Sequence, residues 1–516
     1  MRSRRLIGSI GRPGHEHRAM IALMLAAIAT AVWPAAGADA FDAAVRHLRR
    51  TATPQRDGTH LARLFALRQL DDPSLRVFYR RLLSSADWQT QVHAALGLAE
   101  LSADGQVDPG IIAELQERAA EAVISSGLDM ERLGPAVVRI LLERHDLAPL
   151  PRTLLLCELL LAGEPVAAED VTTLIDQGSP SVSALATLLL AQLGDAAALS
   201  SFTHQLARLA PRDRTRDTQW LLEAIRQYKL HAALPWVQSL VSRPETDRET
   251  AYWALLTLLE IAPQRGLEQW RRIVPPAASY RDQVRYGMLL LAAETGIPAA
   301  AYDRLTDESP LVRGMVAAGQ SLARGEDASG PLIALLDLGL ARTTAWAMRR
   351  LESLPADQAA PVYRHLIDTV GGDQPGRAEH IAHAVTATAR LFRIEPDAVL
   401  ERLLAAADDS LEQEVLLLGL FDADSPRAGE AARRLRRIGA GRADSLALLL
   451  IARHATMLSD GDRVRLGRIV GGGGRVSEGL QTQAAWLYLR HTDGVTRALE
   501  TIFTPPLSGA ASESNP

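Results

Sequence analysis

The sequence predicts an all-α protein whose short helices stack as an α-solenoid. Across most of its 516 residues, apolar side chains recur at spacings of three and four, as at Leu61, Leu64 and Leu67. Alanine and leucine supply most of the 47% hydrophobic residues, and aromatic residues make up only 4%. This bias favours helices over strands. Sustained alternation of β-branched and aromatic residues is missing from the sequence, so no sheet is predicted.

The first forty residues have the order of a secretory signal peptide. Five arginines precede an apolar run from Ala19 to Trp33, and small residues follow it. Cleavage after Ala38 or after Ala40 fits this pattern. The run is shorter than the roughly 20 apolar residues of a membrane span. We therefore expect export to the periplasm or the extracellular space, with a twin-arginine signal and an uncleaved membrane anchor as alternatives.

Residues 41–503 are predicted to form one array of short helices. Proline repeatedly follows Asp, Ser, Gly or Glu, and for the first three this is the pairing of a helix cap with Pro at the first helical position. These pairs are Asp72-Pro73, Asp108-Pro109, Gly134-Pro135, Ser179-Pro180, Ser309-Pro310, Gly330-Pro331, Glu395-Pro396 and Ser425-Pro426. The pattern is lost after Phe503, and residues 504–516 are predicted to be a disordered tail.

Several stretches of the array resemble one another. Each has a polar turn, then a valine on the following helix, then a face of small residues and leucine. Val284 and Val312 occupy this position 28 residues apart, the length of one short helix pair. At about 30 to 40 residues per pair, the chain has room for roughly 12 to 15 pairs.

The stretch that begins at Ser309-Pro310 and continues with Val312-Arg313 and Ala317-Ala318 resembles the turn and second helix of a HEAT repeat. Other copies depart from that pattern, because His93 or Ser183 stands where the arginine is expected. Tetratricopeptide repeats are the alternative, although their signature spacing is not found. The resemblance implies a right-handed superhelix with a long concave groove, repeats that contact only their neighbours, and a role in binding rather than catalysis.

Motifs that would carry chemistry are weak. His380 and His383 lie one turn apart, but a catalytic zinc site needs a further ligand. Cys157 lies among leucines and is predicted to be a buried, inert thiol. Residues 471–474 are four glycines without the Lys-Ser/Thr of a phosphate-binding loop, and are predicted to be a flexible loop. We therefore predict no catalytic, cofactor-binding or metal-binding residue.

Charge gives the one candidate binding site. The net charge of −5 argues against nucleic acid, but residues 427–475 hold eleven arginines and four acidic residues. Arg433, Arg436 and Arg437 have helical spacing that places them on one face. They are predicted to dock an anionic partner, which could be an acidic protein, a lipid headgroup or a cell-wall polymer. The alternative is a solvated basic face that balances acidic neighbours.

The sequence therefore predicts an exported, bacterial-type binding or scaffolding protein that has no catalytic activity. An enzyme of the lyase or hydrolase class and a structural component of the cell envelope are the alternative functions.

Overall fold

The computed structural model describes residues 40–130, 132–144, 147–207, 214–243, 246–274, 278–293, 297–370, 378–435, 441–472 and 476–504. It is 77% helical, and these ranges contain no strand. The prediction of an all-α solenoid is confirmed. The predicted signal peptide lies outside the described residues except for Ala40, which begins the first helix. Residues 505–516 of the predicted tail and residues 473–474 of the glycine loop also lie outside them.

The helices fall into two compact units. The middle unit is Ile124–Val362, and the end unit consists of the described residues in 40–123 and 363–504. The boundaries lie within the helices Glu117–Asp129 and Ala356–Asp368. Whether residues 41–503 form one continuous array, and with which superhelical hand, stays a prediction.

The middle unit contains thirteen further described α-helices and two short 3-10 helices. The α-helices are Pro135–Leu142, Pro149–Leu161, Ala168–Gln177, Pro180–Gln192, Ala196–Ala207, Arg214–Tyr228, Leu234–Ser242, Arg248–Ile261, Pro263–Ile273, Tyr280–Ala292, Pro310–Arg324, Ser329–Asp337 and Ala341–Leu351. The 3-10 helices are His231–Ala233 and Ala299–Arg304.

Alternate helices of the middle unit pack against one another in chain order. The row runs through Pro149–Leu161, Pro180–Gln192, Arg214–Tyr228, Arg248–Ile261 and Tyr280–Ala292. Successive helices of this row begin 31 to 34 residues apart. This spacing agrees with the repeat length predicted from the sequence and is what a stack of helical hairpins requires.

The turn that carries the family resemblance caps its helix as predicted. The Ser309 hydroxyl accepts a hydrogen bond from the Val312 N–H at 3.3 Å, and Pro310 occupies the first turn. Val312 and Ala318 are fully buried. Asp108 caps the helix Pro109–Glu114 in the same way, through the Gly110 N–H. The side chains of Asp72, Asp108 and Ser309 thus satisfy backbone donors at helix starts. Ser179 precedes its helix without a side-chain cap, and the prediction that Gly330-Pro331 begins a helix is wrong, because that pair lies inside the helix Ser329–Asp337.

Small residues allow close approach of neighbouring helices. A Cβ atom added at Gly419 would lie 2.4 Å from the Thr388 Cβ, and one at Gly266 would lie 2.7 Å from the Leu259 Cα. Such distances leave no room for a larger side chain. Glycine at these two positions therefore allows the neighbouring helices to pack closely. Cys157 is also buried as predicted, and burial raises the pKa of its thiol.

The end unit is built from both ends of the described chain. Its α-helices are Ala40–Ala52, Thr59–Arg68, Arg76–Leu82, Trp88–Glu100, Pro109–Glu114, Ala378–Ile394, Pro396–Ala405, Leu411–Ala423, Pro426–Leu435, Arg442–His454, Asp460–Val470, Glu478–His491 and Val495–Phe503. A 3-10 helix, Pro73–Leu75, precedes Arg76–Leu82. Among the described residues, no helix is long and apolar enough to cross a membrane.

The row of helices in the end unit passes from the last part of the chain into the first. Glu478–His491 packs against Arg442–His454 on one side and Thr59–Arg68 on the other. The expectation that repeats contact only their neighbours in the chain is wrong here. The physical reason is that a terminal repeat leaves an apolar face uncovered, and each end of this chain covers the other.

Specific contacts join the two ends. The ring of Trp486 lies 5.7 Å from the ring of Phe78, centroid to centroid, and its indole N–H donates to the Ser74 hydroxyl at 3.0 Å. The Gln483 side-chain amide donates to the carbonyl oxygen of Ala66 at 2.7 Å. Because these groups are buried, the joint contributes apolar contact and also satisfies polar atoms.

Candidate anion-binding surface

The structure places one of the three predicted docking residues. Arg433 is exposed in the last turn of the helix Pro426–Leu435. Arg436 and Arg437 lie outside the described residues. Their position on one face with Arg433 therefore stays a prediction.

Most of the other described arginines of the 427–475 segment form ion pairs. The pairs are Arg427–Asp397, Arg434–Glu430, Arg442–Glu414, Arg453–Asp424, Arg463–Asp460 and Arg465–Asp444. Arg433 and Arg468 form no ion pair with a described residue. These six arginines therefore fit the alternative of a basic face that is balanced by acidic neighbours. The positive charge available to a partner is smaller than the number of arginines in the segment suggests.

Two basic residues in this region hold neighbouring helices together. The Arg453 guanidinium donates to the Phe421 carbonyl oxygen at 2.5 Å and pairs with Asp424 at 3.0 Å. The Arg490 guanidinium donates to the Ala452 carbonyl oxygen at 2.5 Å. Each arginine stands in the last turn of its own helix and binds carbonyl groups at the end of the adjacent helix, which lack partners within that helix. Their role is structural.

Polar clusters elsewhere in the end unit are also accounted for by structure. His60 Nδ1 accepts a hydrogen bond from the Gln55 N–H at 3.1 Å, and its Nε2 lies 3.4 Å from an Asp87 carboxylate oxygen. Both ring nitrogens are thereby engaged, so the imidazole keeps no lone pair for a general base. Asp87 itself caps the helix Trp88–Glu100.

The histidine pair singled out in the sequence does not assemble a site. His380 is exposed and His383 is buried on the helix Ala378–Ile394. In the part of the chain that the structure describes, no group of three or more histidine, cysteine or carboxylate side chains comes together as metal ligands.

Among the described carboxyl groups near the paired arginines, Asp422 has the most strongly raised pKa. The residue keeps exposed surface, but the protein atoms around its carboxyl group displace water from it, and this desolvation raises its pKa to about 6. The positive charges of Arg453 and Arg393 act against this shift. A carboxyl group with this pKa changes its charge near neutral pH.

A cluster of arginines that the sequence reasoning missed lines a pocket at the first helix. Arg46, Arg49 and Arg50 on Ala40–Ala52 form this cavity of about 260 Å³ with Thr53 and Gln55. The three arginines are exposed and have the spacing i, i+3 and i+4, which places them on one side of the helix. We name these five residues the arginine pocket.

Two contacts fix the frame of the arginine pocket. Arg49 donates to the Thr501 carbonyl oxygen at 2.7 Å. The Gln55 side-chain amide donates to the Arg50 carbonyl oxygen at 3.3 Å, so it fastens the turn that follows the helix. Arg46 and Arg50 form no ion pair with a described residue. The pocket therefore contains one arginine that is held by a hydrogen bond, Arg49, and two whose guanidinium groups have no described counter-ion.

The pKa of His47 is affected by the charge of these arginines. His47 lies between Arg46 and Arg50 in the sequence, but its ring is turned inward, where Nε2 lies 3.1 Å from the Val470 carbonyl oxygen. Burial lowers the pKa of His47, and the positive charge of Arg50 lowers it further. The helix Ala40–Ala52 thus presents positive charge outward while its opposite side packs in the end unit.

A sequence signal for this pocket does exist. Residues 46–50 read Arg-His-Leu-Arg-Arg, and residues 433–437 read Arg-Arg-Leu-Arg-Arg. Both stretches follow the pattern Arg-x-Leu-Arg-Arg. The second stretch lies in a segment with a high net positive charge, whereas the first stands alone beside the predicted export signal.

No protein-family model matches the chain, and no curated protein matches it. A crystal structure described as that of an engineered protein is similar to 80% of this chain and 99% of its own, with 14% sequence identity and a TM-score of 0.18. A TM-score this low does not indicate a shared overall fold.

Proposed function

We propose that this chain is an exported, HEAT-like helical-repeat protein that works as a protein-binding or scaffolding module and performs no catalysis. The observation that carries the proposal is the division of its arginines into two groups. One group bridges neighbouring helices, as Arg453 does with Asp424 at 3.0 Å. The other stays exposed without a described acidic partner, as Arg433 does.

An acidic protein is the partner that this arrangement favours. The basic residues of the end unit lie on several helices rather than in one deep cavity, and an extended charged surface suits a macromolecular partner. Guanidinium groups bind carboxylates through paired, charge-assisted hydrogen bonds. Arg433, Arg436 and Arg437 are proposed to make these contacts.

Site-specific crosslinking tests the proposal. A photo-reactive amino acid at Glu430, which is exposed one turn before Arg434, is introduced into the full chain in its native cell. We expect one acidic envelope protein to be crosslinked. The triple variant Arg433→Glu, Arg436→Glu and Arg437→Glu should abolish the crosslink and leave helicity unchanged. The purified complex should weaken above about 0.15 M salt, where screening shortens to about 8 Å.

A charge-matched control separates a specific contact from general attraction. The variant Arg281→Glu, Arg313→Glu and Arg342→Glu changes three exposed arginines of the middle unit by the same total charge. It should retain the crosslink. Equal loss in both triple variants, or full retention in the first, contradicts the proposed docking surface.

Export is tested by sequencing the N-terminus of the protein taken from the native cell. A mature chain that begins at Asp39 or Phe41 supports removal of the predicted signal peptide. An intact Met1 in the cytosol contradicts export and moves the search for a partner to another compartment.

A further inference from the structure

The arginine pocket has a composition suited to a compact anion. Its three arginines come from one helix, and Thr53 and Gln55 add a hydroxyl and an amide from the turn that follows. The cavity of about 260 Å³ exceeds the roughly 30 Å³ that a water molecule occupies in the liquid severalfold, so it has room for a hydrated oxyanion. None of the five described residues that line it is acidic.

We propose that Arg46, Arg49 and Arg50, with Thr53 and Gln55, form a binding site for a phosphate group. The inference goes beyond the proposed docking of an acidic protein, because it concerns different residues and a different ligand chemistry. It assigns a small-ligand site to the first helix after the predicted export signal.

The arrangement of the three arginines favours specific binding of one phosphate group over loose association with mobile counter-ions. Guanidinium groups present planar forks of donors that match phosphate oxygens in pairs. Arg49 is already held by the Thr501 carbonyl group at 2.7 Å, so less conformational freedom is lost when it binds. Arg46 and Arg50 stand four residues apart on the helix and repel each other, and an anion between them relieves that repulsion.

A purely structural explanation covers only part of the cluster. Arginines in the last turn of a helix stabilise it by opposing the helix dipole, and Arg49 and Arg50 stand there. Arg46 stands before the last turn, where the dipole effect fades. Arg46 is also exposed, so packing does not account for it. Its place on the wall of the cavity puts its guanidinium group within reach of an anion bound there.

Calorimetric titration with inorganic phosphate tests the site on the protein purified from its native cell. We expect saturable binding, with the double variant Arg46→Gln and Arg50→Gln at least tenfold weaker. That loss corresponds to about 1.4 kcal/mol, close to the lower end of the roughly 1.5–3 kcal/mol of a hydrogen bond to a charged group. The matched control, Arg313→Gln and Arg342→Gln, removes the same charge elsewhere and should bind as the wild type does.

A second variant tests whether the guanidinium fork matters. Arg46→Lys and Arg50→Lys keeps the charge and removes the paired donors, so we expect binding intermediate between the wild type and the Gln variant. Unchanged affinity in the Lys variant, or equal weakening in the Gln variant and its control, overturns the proposed site. Circular dichroism should be unchanged in every variant, because the substituted residues are exposed. The Lys variant keeps the positive charge at the end of the helix, so its melting temperature should equal that of the wild type.

Vesicles identify the source of the phosphate. Sedimentation with phosphatidylglycerol vesicles, compared with phosphatidylcholine vesicles, tests whether the phosphate group belongs to a lipid headgroup. Binding to phosphatidylglycerol that inorganic phosphate competes away identifies a lipid headgroup. Binding of inorganic phosphate without vesicle binding identifies a soluble phosphate ester. Neither outcome depends on Arg433, so the failure of this site and the failure of the docking surface are distinguishable.

Discussion

The middle unit and the end unit are made of the same kind of short helix, yet they are assembled from the chain differently. In the middle unit, the row from Pro149–Leu161 to Tyr280–Ala292 follows the order of the sequence. In the end unit, the row passes from Glu478–His491 directly to Thr59–Arg68. The ion pair between Arg490 and Asp72 spans 418 residues of sequence.

This difference shows that a repeated helical pattern specifies stacking but leaves open which helix covers the last one. Contacts between residues close in sequence form at little cost in chain entropy, whereas contacts over hundreds of residues require closure of a long loop. The end unit therefore depends on specific side chains at its joint, and the middle unit depends on contacts spread along its length.

Truncation of a buried tryptophan at the joint between the two chain ends is expected to have the largest effect on stability. A small effect would mean that the end unit does not depend on this joint. Trp486 is fully buried against Phe78, and Trp486→Ala should lower the free energy of unfolding by about 3–5 kcal/mol. The matched variant is Trp346→Ala in the middle unit, where the indole N–H donates to the Leu291 carbonyl oxygen at 2.5 Å.

Native-state hydrogen exchange locates these effects. Trp486→Ala should speed exchange in residues 59–100 and 442–503, which are over 300 residues apart in sequence. Trp346→Ala should speed exchange around residues 280–293 and 341–351. Fast exchange confined to 478–491 in the first variant would mean that the two chain ends do not stabilise each other.

Removal of the ion pair between Arg490 and Asp72 at the joint should have a smaller effect on stability than truncation of Trp486. Arg490 binds Asp72 at 2.6 Å, and the Asp72 side chain is 5% exposed. Arg490→Met leaves this carboxylate buried without its cation and the Ala452 carbonyl oxygen without its donor, and we expect these two losses together to lower the free energy of unfolding by about 2–3 kcal/mol. That is below the roughly 3–5 of a fully buried pair, because Ser74 still donates to Asp72.

The control for this variant is Arg463→Met. Its partner Asp460 has a side chain that is 92% exposed, and the pair lies within one helix. Exposed pairs of this kind contribute less than about 1 kcal/mol. Chemical denaturation measures both variants, and equal losses would show that Arg490 is no more than a surface residue.

Much of the local structure could be predicted from the sequence. The Ser309-Pro310 pair begins a capped helix, Ala318 lies on the buried face, and Cys157 is buried. These features depend on a few neighbouring residues and on a regular spacing, so a single sequence contains them. The family to which the repeats belong stays a prediction, because the arginine after the valine is missing from several copies.

The joint of the end unit could not be predicted in the same way. Apolar spacing shows that the helix Glu478–His491 has a buried face, but it does not identify the partner of that face. The contact between Gln483 and the Ala66 carbonyl group depends on three-dimensional placement. Ion pairs between distant residues could not be predicted for the same reason. Arg427 and Arg442 pair with Asp397 and Glu414, which lie outside the basic segment 427–475.

Acid should weaken the end unit by a modest amount. Burial lowers the pKa of four of its histidines, namely His47, His93, His454 and His491. For His93, burial and then the positive charge of Arg68 lower the pKa to about 3. The Arg68 Nη1 lies 3.4 Å from the His93 Nδ1. These histidines are therefore neutral in the folded protein at pH values where an unfolded chain takes up protons.

The direction of the pH effect follows from which state binds more protons. Below the unfolded pKa of about 6.5, the unfolded chain protonates His93 and the folded chain does not, so stability falls as pH falls toward 3. We expect His93 to account for a loss of about 1 kcal/mol between pH 7 and pH 5.5. Asp422 acts in the opposite direction, because its raised pKa of about 6 makes the folded state bind the extra proton. Denaturation at both pH values should show a smaller loss in His93→Gln and a larger loss in Asp422→Asn than in the wild type. Parallel behaviour of all three proteins would place the acid sensitivity of the end unit on other groups.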